Sequence, residues 1–145
     1  MKDTFIHQYE SQVAHAPLPL QLAETYSISS IIKDTTDKKV YLLKDQRNQP
    51  FILKCCSSMY AGVLRQEYDF LTHHTNMDCF PDAVTFFEES DMCFLLRDYI
   101  KGPLLGEHSE HLYAQYTHFR DFENALLPYM MECCQIISIL HHEKP

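Results

Sequence analysis

Short apolar runs separated by polar turns dominate the middle of the chain. Runs rich in β-branched and aromatic residues with polar boundaries are typical of β-strands. The polar segments between the runs carry Asp, Asn, Thr and Pro, which favour turns. The pattern predicts an antiparallel sheet of five short strands, at Tyr26–Ile32, Val40–Leu43, Phe51–Cys55, Ala83–Phe87 and Cys93–Leu96.

One stretch between the third and fourth runs has helical spacing instead. Its apolar residues recur at intervals of about four and seven, which predicts one helix from Gly62 to about His74. The apolar stripe of that helix contains a carboxylate, Glu67. A charged residue on a buried stripe needs a partner, because an unpaired buried carboxylate costs several kcal/mol.

Helical spacing also occurs near both ends of the chain. Phe5–His15 predicts a short N-terminal helix that docks on the rest of the fold. Two further helices are expected, around Glu110–Asn124 and from Pro128 to His142, because proline suits the first position of a helix. The last helix spaces five residues for burial: Met130, Met131, Cys134, Ile137 and Leu140.

Composition narrows the class of protein. The chain has 145 residues, 46% of them apolar, which is about one domain with an ordinary core. Its formal net charge of -8 disfavours binding to nucleic acid or to anionic lipid surfaces. No run approaches the roughly 20 apolar residues of a membrane helix, and the first ten residues do not resemble a signal peptide. We therefore expect a soluble, cytoplasmic protein without a membrane or nucleic-acid partner.

The six cysteines are expected to be reduced. Two adjacent pairs lie inside apolar runs, and neighbouring cysteines rarely bridge each other, so all six are interpreted as small core residues. The nine histidines include adjacent pairs, but neighbours on a helix point about 100° apart and cannot share one ion. We predict no metal site and no cysteine nucleophile, since no motif positions either.

The third strand carries the residue with the clearest chemical interest. Alternation places Ile52, Lys54 and Cys56 on one face, so Lys54 lies among apolar neighbours. Glu67, on the inward stripe of the next helix, needs a cation for the same reason that Lys54 needs an anion. We predict a Lys54–Glu67 ion pair. The alternative is that both side chains reach solvent separately.

The order of these elements resembles the N-terminal, ATP-binding lobe of protein kinases, in particular the bacterial eukaryotic-like Ser/Thr protein kinases. Four segments carry the resemblance, which covers about Leu18 to Pro145. Phe51-Ile-Leu-Lys54 is similar to the VAIK strand, and Glu67-Tyr-Asp-Phe-Leu71 is similar to the C-helix. The other two are Leu95-Leu-Arg-Asp-Tyr-Ile-Lys-Gly102, similar to the fifth strand and hinge, and Ile139-Leu-His-His-Glu-Lys-Pro145, similar to the helix before the catalytic loop.

The resemblance implies an α+β fold: a kinase-like N-terminal lobe with a five-stranded antiparallel sheet and a C-helix, followed by two helices. It divides the chain into an N-terminal helix and extension (1–22), the lobe with its hinge (23–102) and the first helices of a second lobe (103–145). The implied ligand is ATP with magnesium, and the implied parent reaction is Ser/Thr phosphorylation.

The resemblance also implies a role for each site residue. Lys54 would hold the α- and β-phosphates while Glu67 fixes the lysine. The side chains of Val40 and Ile52 would cover adenine. Two backbone groups, at Asp98 and Ile100, would bind the adenine edge, and the gatekeeper position behind the base falls on Arg97.

The sequence departs from the family at three places. Ile52 stands where the family usually has a small alanine, which implies a narrow adenine slot. Lys33, Thr35 and Lys38 replace the three glycines of the GxGxxGxV loop, so either lysine charge replaces amide contacts to phosphate or the segment is a solvated hairpin. The sequence also ends at Pro145 without the His-Arg-Asp and Asp-Phe-Gly motifs. We expect no phosphoryl transfer by this chain alone, which is either one lobe of a longer kinase or a separate binding protein.

A non-enzymatic alternative stays open from the sequence. In a pseudokinase-type interaction module, Lys54 and Glu67 would form a structural pair. The last helix would then present Met130, Ile137 and Leu140 to a protein partner or to a second copy of the chain.

Overall fold

A computed structural model describes residues 18–142 of the chain. The chain divides into two compact units, the first ending at Ile100 and the second beginning at Lys101. The predicted helix Phe5–His15, and with it most of the segment 1–22, lies outside the described residues.

The first unit is a five-stranded antiparallel sheet with helices, so the α+β class predicted from the sequence is confirmed. The strand order is β1-β2-β3-β5-β4, and all five predicted strands are present, each extended by one or two residues at one or both ends. The elements are α1 (Leu20–Ala23), β1 (Tyr26–Asp34), β2 (Lys38–Asp45), β3 (Pro50–Ser57), a 3-10 turn (Ser58–Tyr60), α2 (Ala61–His73), β4 (Ala83–Glu89) and β5 (Met92–Asp98).

The register assigns residues to the two faces of the sheet. Lys54 lies opposite Val40 on β2 and opposite Leu95 on β5, so these three side chains share one face. That face packs against α2 through a buried cluster: Cys56, Leu64, Cys93 and Leu95. The other face packs against α1 through a second cluster: Leu22, Leu43, Leu53 and Leu96. Because the central strands are covered on both faces, they read as nearly continuous apolar runs in the sequence.

Local turn chemistry fixes two of the hairpins. Asp45 accepts hydrogen bonds from the backbone N–H of Arg47 and of Gln49, at 2.9 and 2.8 Å, which closes the β2–β3 connection. Ser90 and Asp91 form a two-residue loop between β4 and β5, with φ of 51° and 60°. Two positive φ values in succession define the turn type that matches the twist of a hairpin.

The second unit contains two helices, α3 (Leu105–Gln115) and α4 (Phe119–His142), which brings the described α-helices to four. The predicted boundaries here were wrong, because the interruption at 116–118 falls inside the segment expected to be one helix. Pro128 lies inside α4 and does not start it. The turns of α4 that precede Pro128 pack against α3 through ring contacts. The ring centroids of Tyr113, on α3, and Phe122, on α4, lie 5.2 Å apart.

Several residues expected in the core are exposed. On α4, Met130, Met131 and Ile137 are about half exposed, and Cys134 is also exposed. Cys79 is exposed too, since it lies in the connection between α2 and β4. All six cysteines are free thiols, as predicted. None of the helices within residues 18–142 has the length and apolar character needed to span a membrane.

Candidate functional site

The structure brings Lys54 and Glu67 into direct contact. The Nζ of Lys54, on β3, lies 2.6 and 2.8 Å from the two carboxylate oxygens of Glu67, on α2. The side chains are 17% and 26% exposed, so the pair is mostly shielded from water. The predicted ion pair is confirmed, and the alternative of two separately solvated side chains is wrong.

Packing of α2 explains why the carboxylate points at the sheet. Leu64 and Leu71 are 1% and 4% exposed and anchor the helix on its inward face. Glu67 lies three residues after Leu64 and four before Leu71, so it occupies the same face one turn from each. The 3-10 turn Ser58–Tyr60 leads directly from β3 into α2, which fixes the helix close to the strand that carries Lys54.

A third charged group, Arg97 on β5, joins the pair. Its Nε lies 3.5 Å from Glu67 Oε1, and its Nη1 donates a hydrogen bond of 3.2 Å to the backbone carbonyl of its neighbour Asp98. The Nε atom is buried and makes no hydrogen bond in the structure. We call Lys54, Glu67 and Arg97 the charged cluster. Glu67 therefore contacts two cations at once, and one positive charge of the cluster remains uncompensated.

Sequence reasoning placed Arg97 behind the base and did not predict its contact with Glu67. The strand register explains this contact. Arg97 lies opposite Ile52, and Ile52 is two residues before Lys54 on the same face of β3. Once the β3–β5 pairing is known, alternation alone puts Arg97 beside Lys54.

Burial and charge shift the pKa values inside the cluster. Burial lowers the pKa of the Lys54 ammonium below its usual 10.5; the nearby charges of Arg97 and Lys38 lower it too, and Glu67 opposes them. Burial likewise lowers the pKa of Arg97, again against the effect of Glu67. With two cations and one carboxylate, the cluster carries a local excess of positive charge in a chain whose net charge is -8.

The lysine-rich loop closes with its own hydrogen bonds. The Thr35 hydroxyl donates to the Lys38 carbonyl at 2.8 Å and accepts from the Lys38 N–H at 3.2 Å, and Lys39 pairs with Asp34 at 3.5 Å. Lys38 lies opposite Cys56, which places it on the Lys54 face. It lines a cavity of about 140 Å³ beside the first turn of α2, together with Asp37, Cys56, Tyr60, Val63 and Leu64. Lys38 thus adds positive charge on the same face as the charged cluster.

The remaining predicted site residues fall into two groups. Val40 and Ile52 share the Lys54 face and are 9% and 4% exposed, so both are already packed. The Asp98 carboxyl lies on the other side of the sheet, near Tyr26; burial, followed by the charge of Asp82, raises its pKa. Ile100 is the last residue of the first unit and is 52% exposed. The roles that the kinase resemblance implies at these last two positions involve the backbone and not the side chains.

Three of the cysteines, Cys55, Cys56 and Cys93, are buried in the sheet. The Sγ atoms of Cys56 and Cys93 lie 3.1 Å apart across β3 and β5, and both residues are buried. Burial raises the pKa of Cys93 to about 12 and that of Cys55 to about 11. Both thiols stay protonated at neutral pH, and a protonated thiol is a poor nucleophile. Within residues 18–142, no three His, Cys, Asp or Glu side chains converge to hold a metal ion.

The chain matches no model of a known protein family and no curated protein. A lysine held by a carboxylate, with further cations on the same face, is suited to binding an anion such as phosphate.

Proposed function

We propose that this chain is the nucleotide-binding lobe of a protein kinase-like protein, with Lys54 contacting the phosphates of ATP. The observation that carries the proposal is the two-oxygen contact of Glu67 with Lys54, between the central strand β3 and the helix that follows it. In kinases a strand lysine held by a helix glutamate places an ammonium against the α- and β-phosphates.

Three further features support the proposal. The chain order of the first unit is three strands, a helix and two strands, which is the order on which the kinase resemblance rests. Val40 and Ile52 lie on the Lys54 face, where the resemblance expects the residues that cover the base. Lys38, on the same face, supplies a charge where the family uses glycine amides.

Binding, and not phosphoryl transfer, is proposed for this chain alone. The sequence contains neither a His-Arg-Asp nor an Asp-Phe-Gly motif. Those motifs supply the aspartate that accepts the substrate proton and the ligands for magnesium. The parent reaction suggested by the resemblance is ATP-dependent phosphorylation of Ser or Thr, with magnesium bound to the nucleotide.

A second candidate function is a non-enzymatic interaction module. It is favoured by the apolar side chains exposed on α4, among them Met131 at 55% and Ile137 at 54%. The partner would be another protein or a second copy of the chain. Under this alternative the charged cluster only holds α2 on the sheet.

Thermal unfolding with and without nucleotide separates the two functions. Ligand that binds only the folded state raises Tm, by about 3 °C or more at ten times Kd for a chain of this size. We expect that rise with MgATP for the natural chain, and none for Lys54→Ala measured against its own ligand-free Tm. Lys39→Ala is the matched control, because Lys39 is the neighbour of Lys38 on β2 and pairs outside the cluster, with Asp34.

Absence of a shift with millimolar MgATP and MgGTP in the natural chain would contradict nucleotide binding. Concentration-dependent self-association that Ile137→Glu abolishes would then support the second candidate. An equal shift in the natural chain and in Lys54→Ala would show that the nucleotide binds elsewhere.

A further inference from the structure

The hydrogen bond from Arg97 to Asp98 changes what the end of β5 offers to a base. Under the proposed function, the backbone carbonyl of Asp98 is the acceptor for the exocyclic amine of adenine. In the structure this carbonyl already accepts a hydrogen bond from Nη1 of Arg97, at 3.2 Å. A guanidinium is a donor without acceptor capacity, so it brings N–H groups to a place where adenine needs an acceptor.

The guanidinium is held in this position from two sides. Its Nε lies 3.5 Å from a carboxylate oxygen of Glu67, while Nη1 bonds to the carbonyl of Asp98. The side chain is 20% exposed, and Arg97 lies opposite the buried Ile52. An arginine fixed by an ion pair and a hydrogen bond loses little further rotamer freedom when a ligand binds.

The two purines differ at the edge that such a guanidinium would meet. Both purines present the acceptor N7, but beside it adenine has an amine donor at position 6 and guanine has the acceptor O6. Arginine pairs with those two acceptors through a pair of N–H donors, and the match discriminates against the wrong base. The second N–H of Nη1 and both N–H groups of Nη2 remain beyond the bond to Asp98.

We propose that Arg97 makes this site selective for 6-oxopurine nucleotides, with GTP preferred over ATP. The inference rests on the proposed function, because it assigns the base to the end of β5 and the phosphates to Lys54. Arg97 is then the specificity-determining residue. It donates to O6 of the base and competes with an exocyclic amine for the Asp98 carbonyl.

Isothermal titration of the full chain with MgGTP, MgATP and magnesium tripolyphosphate tests the inference. We expect Kd for GTP to be on the order of tenfold lower than Kd for ATP. Inosine triphosphate shares O6 with guanine but lacks its 2-amino group, so it should bind like GTP. Tripolyphosphate reports on the phosphate contacts alone.

Substitutions at Arg97 test whether its N–H donors cause the preference for GTP over ATP. Arg97→Met removes every donor at similar length, and we expect the GTP and ATP affinities to become equal within about twofold. Arg97→Lys keeps a cation beside Glu67 and loses the planar pair of donors, so it should also lose the preference while folding like the natural chain. Arg65→Met is the matched control, since Arg65 lies on α2, is 58% exposed and pairs with Glu88.

Each of the other possible results would contradict a specific part of this inference. Tighter or equal binding of ATP by the natural chain overturns the 6-oxopurine preference and leaves the proposed nucleotide site in place. A GTP preference that survives in both Arg97 variants overturns the role of Arg97. If inosine triphosphate binds as weakly as ATP, the proposed hydrogen bond from Arg97 to O6 is wrong. If neither nucleotide nor tripolyphosphate binds, the proposed function and this inference fail together.

Discussion

At the level of single residues, one carboxylate serves two cations. Glu67 contacts Lys54 at 2.6 Å and Arg97 at 3.5 Å, and all three side chains are only 17–26% exposed. Removing charge from Glu67 would leave both cations shielded from water and without an anion. The cost of an unpaired charge rises with its burial, so this cluster should respond more strongly than a surface ion pair.

Glu67→Gln tests that expectation. We expect a loss of about 2 kcal/mol in the free energy of unfolding at pH 7, below the 3 to 5 kcal/mol of a fully buried pair because the cluster is partly exposed. The substitution also removes the group that raises the pKa of Lys54, so this pKa falls further below the value of 10.5 in the unfolded chain. In this variant the unfolded state then binds more protons than the folded state. Its loss in free energy of unfolding, relative to the natural chain, therefore shrinks as the pH rises towards 10.5.

Urea unfolding at several pH values measures the effect, with Glu88→Gln as the control. Glu88 pairs with Arg65 at 3.9 Å, and these side chains are 47% and 58% exposed. An exposed pair contributes little, so the control should lose less than about 0.5 kcal/mol. Equal losses in the two variants would show that the cluster is no better shielded than the surface.

Alternation along β3 and helical spacing in α2 together predict the Lys54–Glu67 pair, because each pattern places a charged residue on an apolar face. The contact of Arg97 depends on the pairing of β3 with β5, two strands that α2 and β4 separate in the chain. The order of the strands along the chain does not reveal that β3 and β5 are neighbours in the sheet, so the sequence alone does not predict this contact.

At the level of elements, the β4–β5 hairpin uses an unfavourable turn sequence. Ser90 and Asp91 both have positive φ, a conformation that costs a residue with a Cβ about 1 kcal/mol or more unless its side chain compensates. Asn-Gly is the preferred pair for such a turn. The backbone carbonyl of Asp91 also accepts from the Ser58 N–H at 2.9 Å, a bond that substitution of the side chains leaves intact.

The double substitution Ser90→Asn and Asp91→Gly should stabilise the protein by about 1 kcal/mol, after the extra chain entropy of glycine is deducted. The urea midpoint should rise with an unchanged m-value. Alanine at both positions is the opposing control and should lower the midpoint. A lower midpoint for the Asn-Gly variant would contradict the assigned turn geometry.

Element type was predicted well where periodicity was strong and both neighbours were turns, as in the five strands and in α2. The failures lie in the second unit. Proline suits the first position of a helix, which predicts a start at Pro128, yet ring contacts such as that between Tyr113 and Phe122 extend α4 in front of it. Contacts between helices therefore overrode the local signal there.

At the level of the whole molecule, the buried side chains are distributed unequally. Every hydrophobic residue that is buried in the described chain lies between Leu22 and Leu96, in the two clusters and their surroundings. The helices α3 and α4 contain no buried residue. The hydrophobic core on which cooperative folding depends thus belongs to the first unit.

This distribution predicts different behaviour for the two halves when they are expressed apart. Residues 1–100 contain the complete sheet, α2 and both buried clusters, so they should unfold cooperatively with a Tm within about 5 °C of the full chain. Residues 101–145 should lose helical signal gradually on heating, because a short chain without buried side chains has no cooperative core.

Circular dichroism melts of the two fragments provide the comparison. Leu64→Ala in the 1–100 fragment is the control for a genuine core, since Leu64 is 1% exposed and its truncation should cost about 3 kcal/mol. A sharp transition for 101–145, or a 1–100 fragment without one, would contradict the assignment of the core to the first unit. A folded 1–100 fragment would also carry the whole charged cluster, since its three residues lie on β3, α2 and β5.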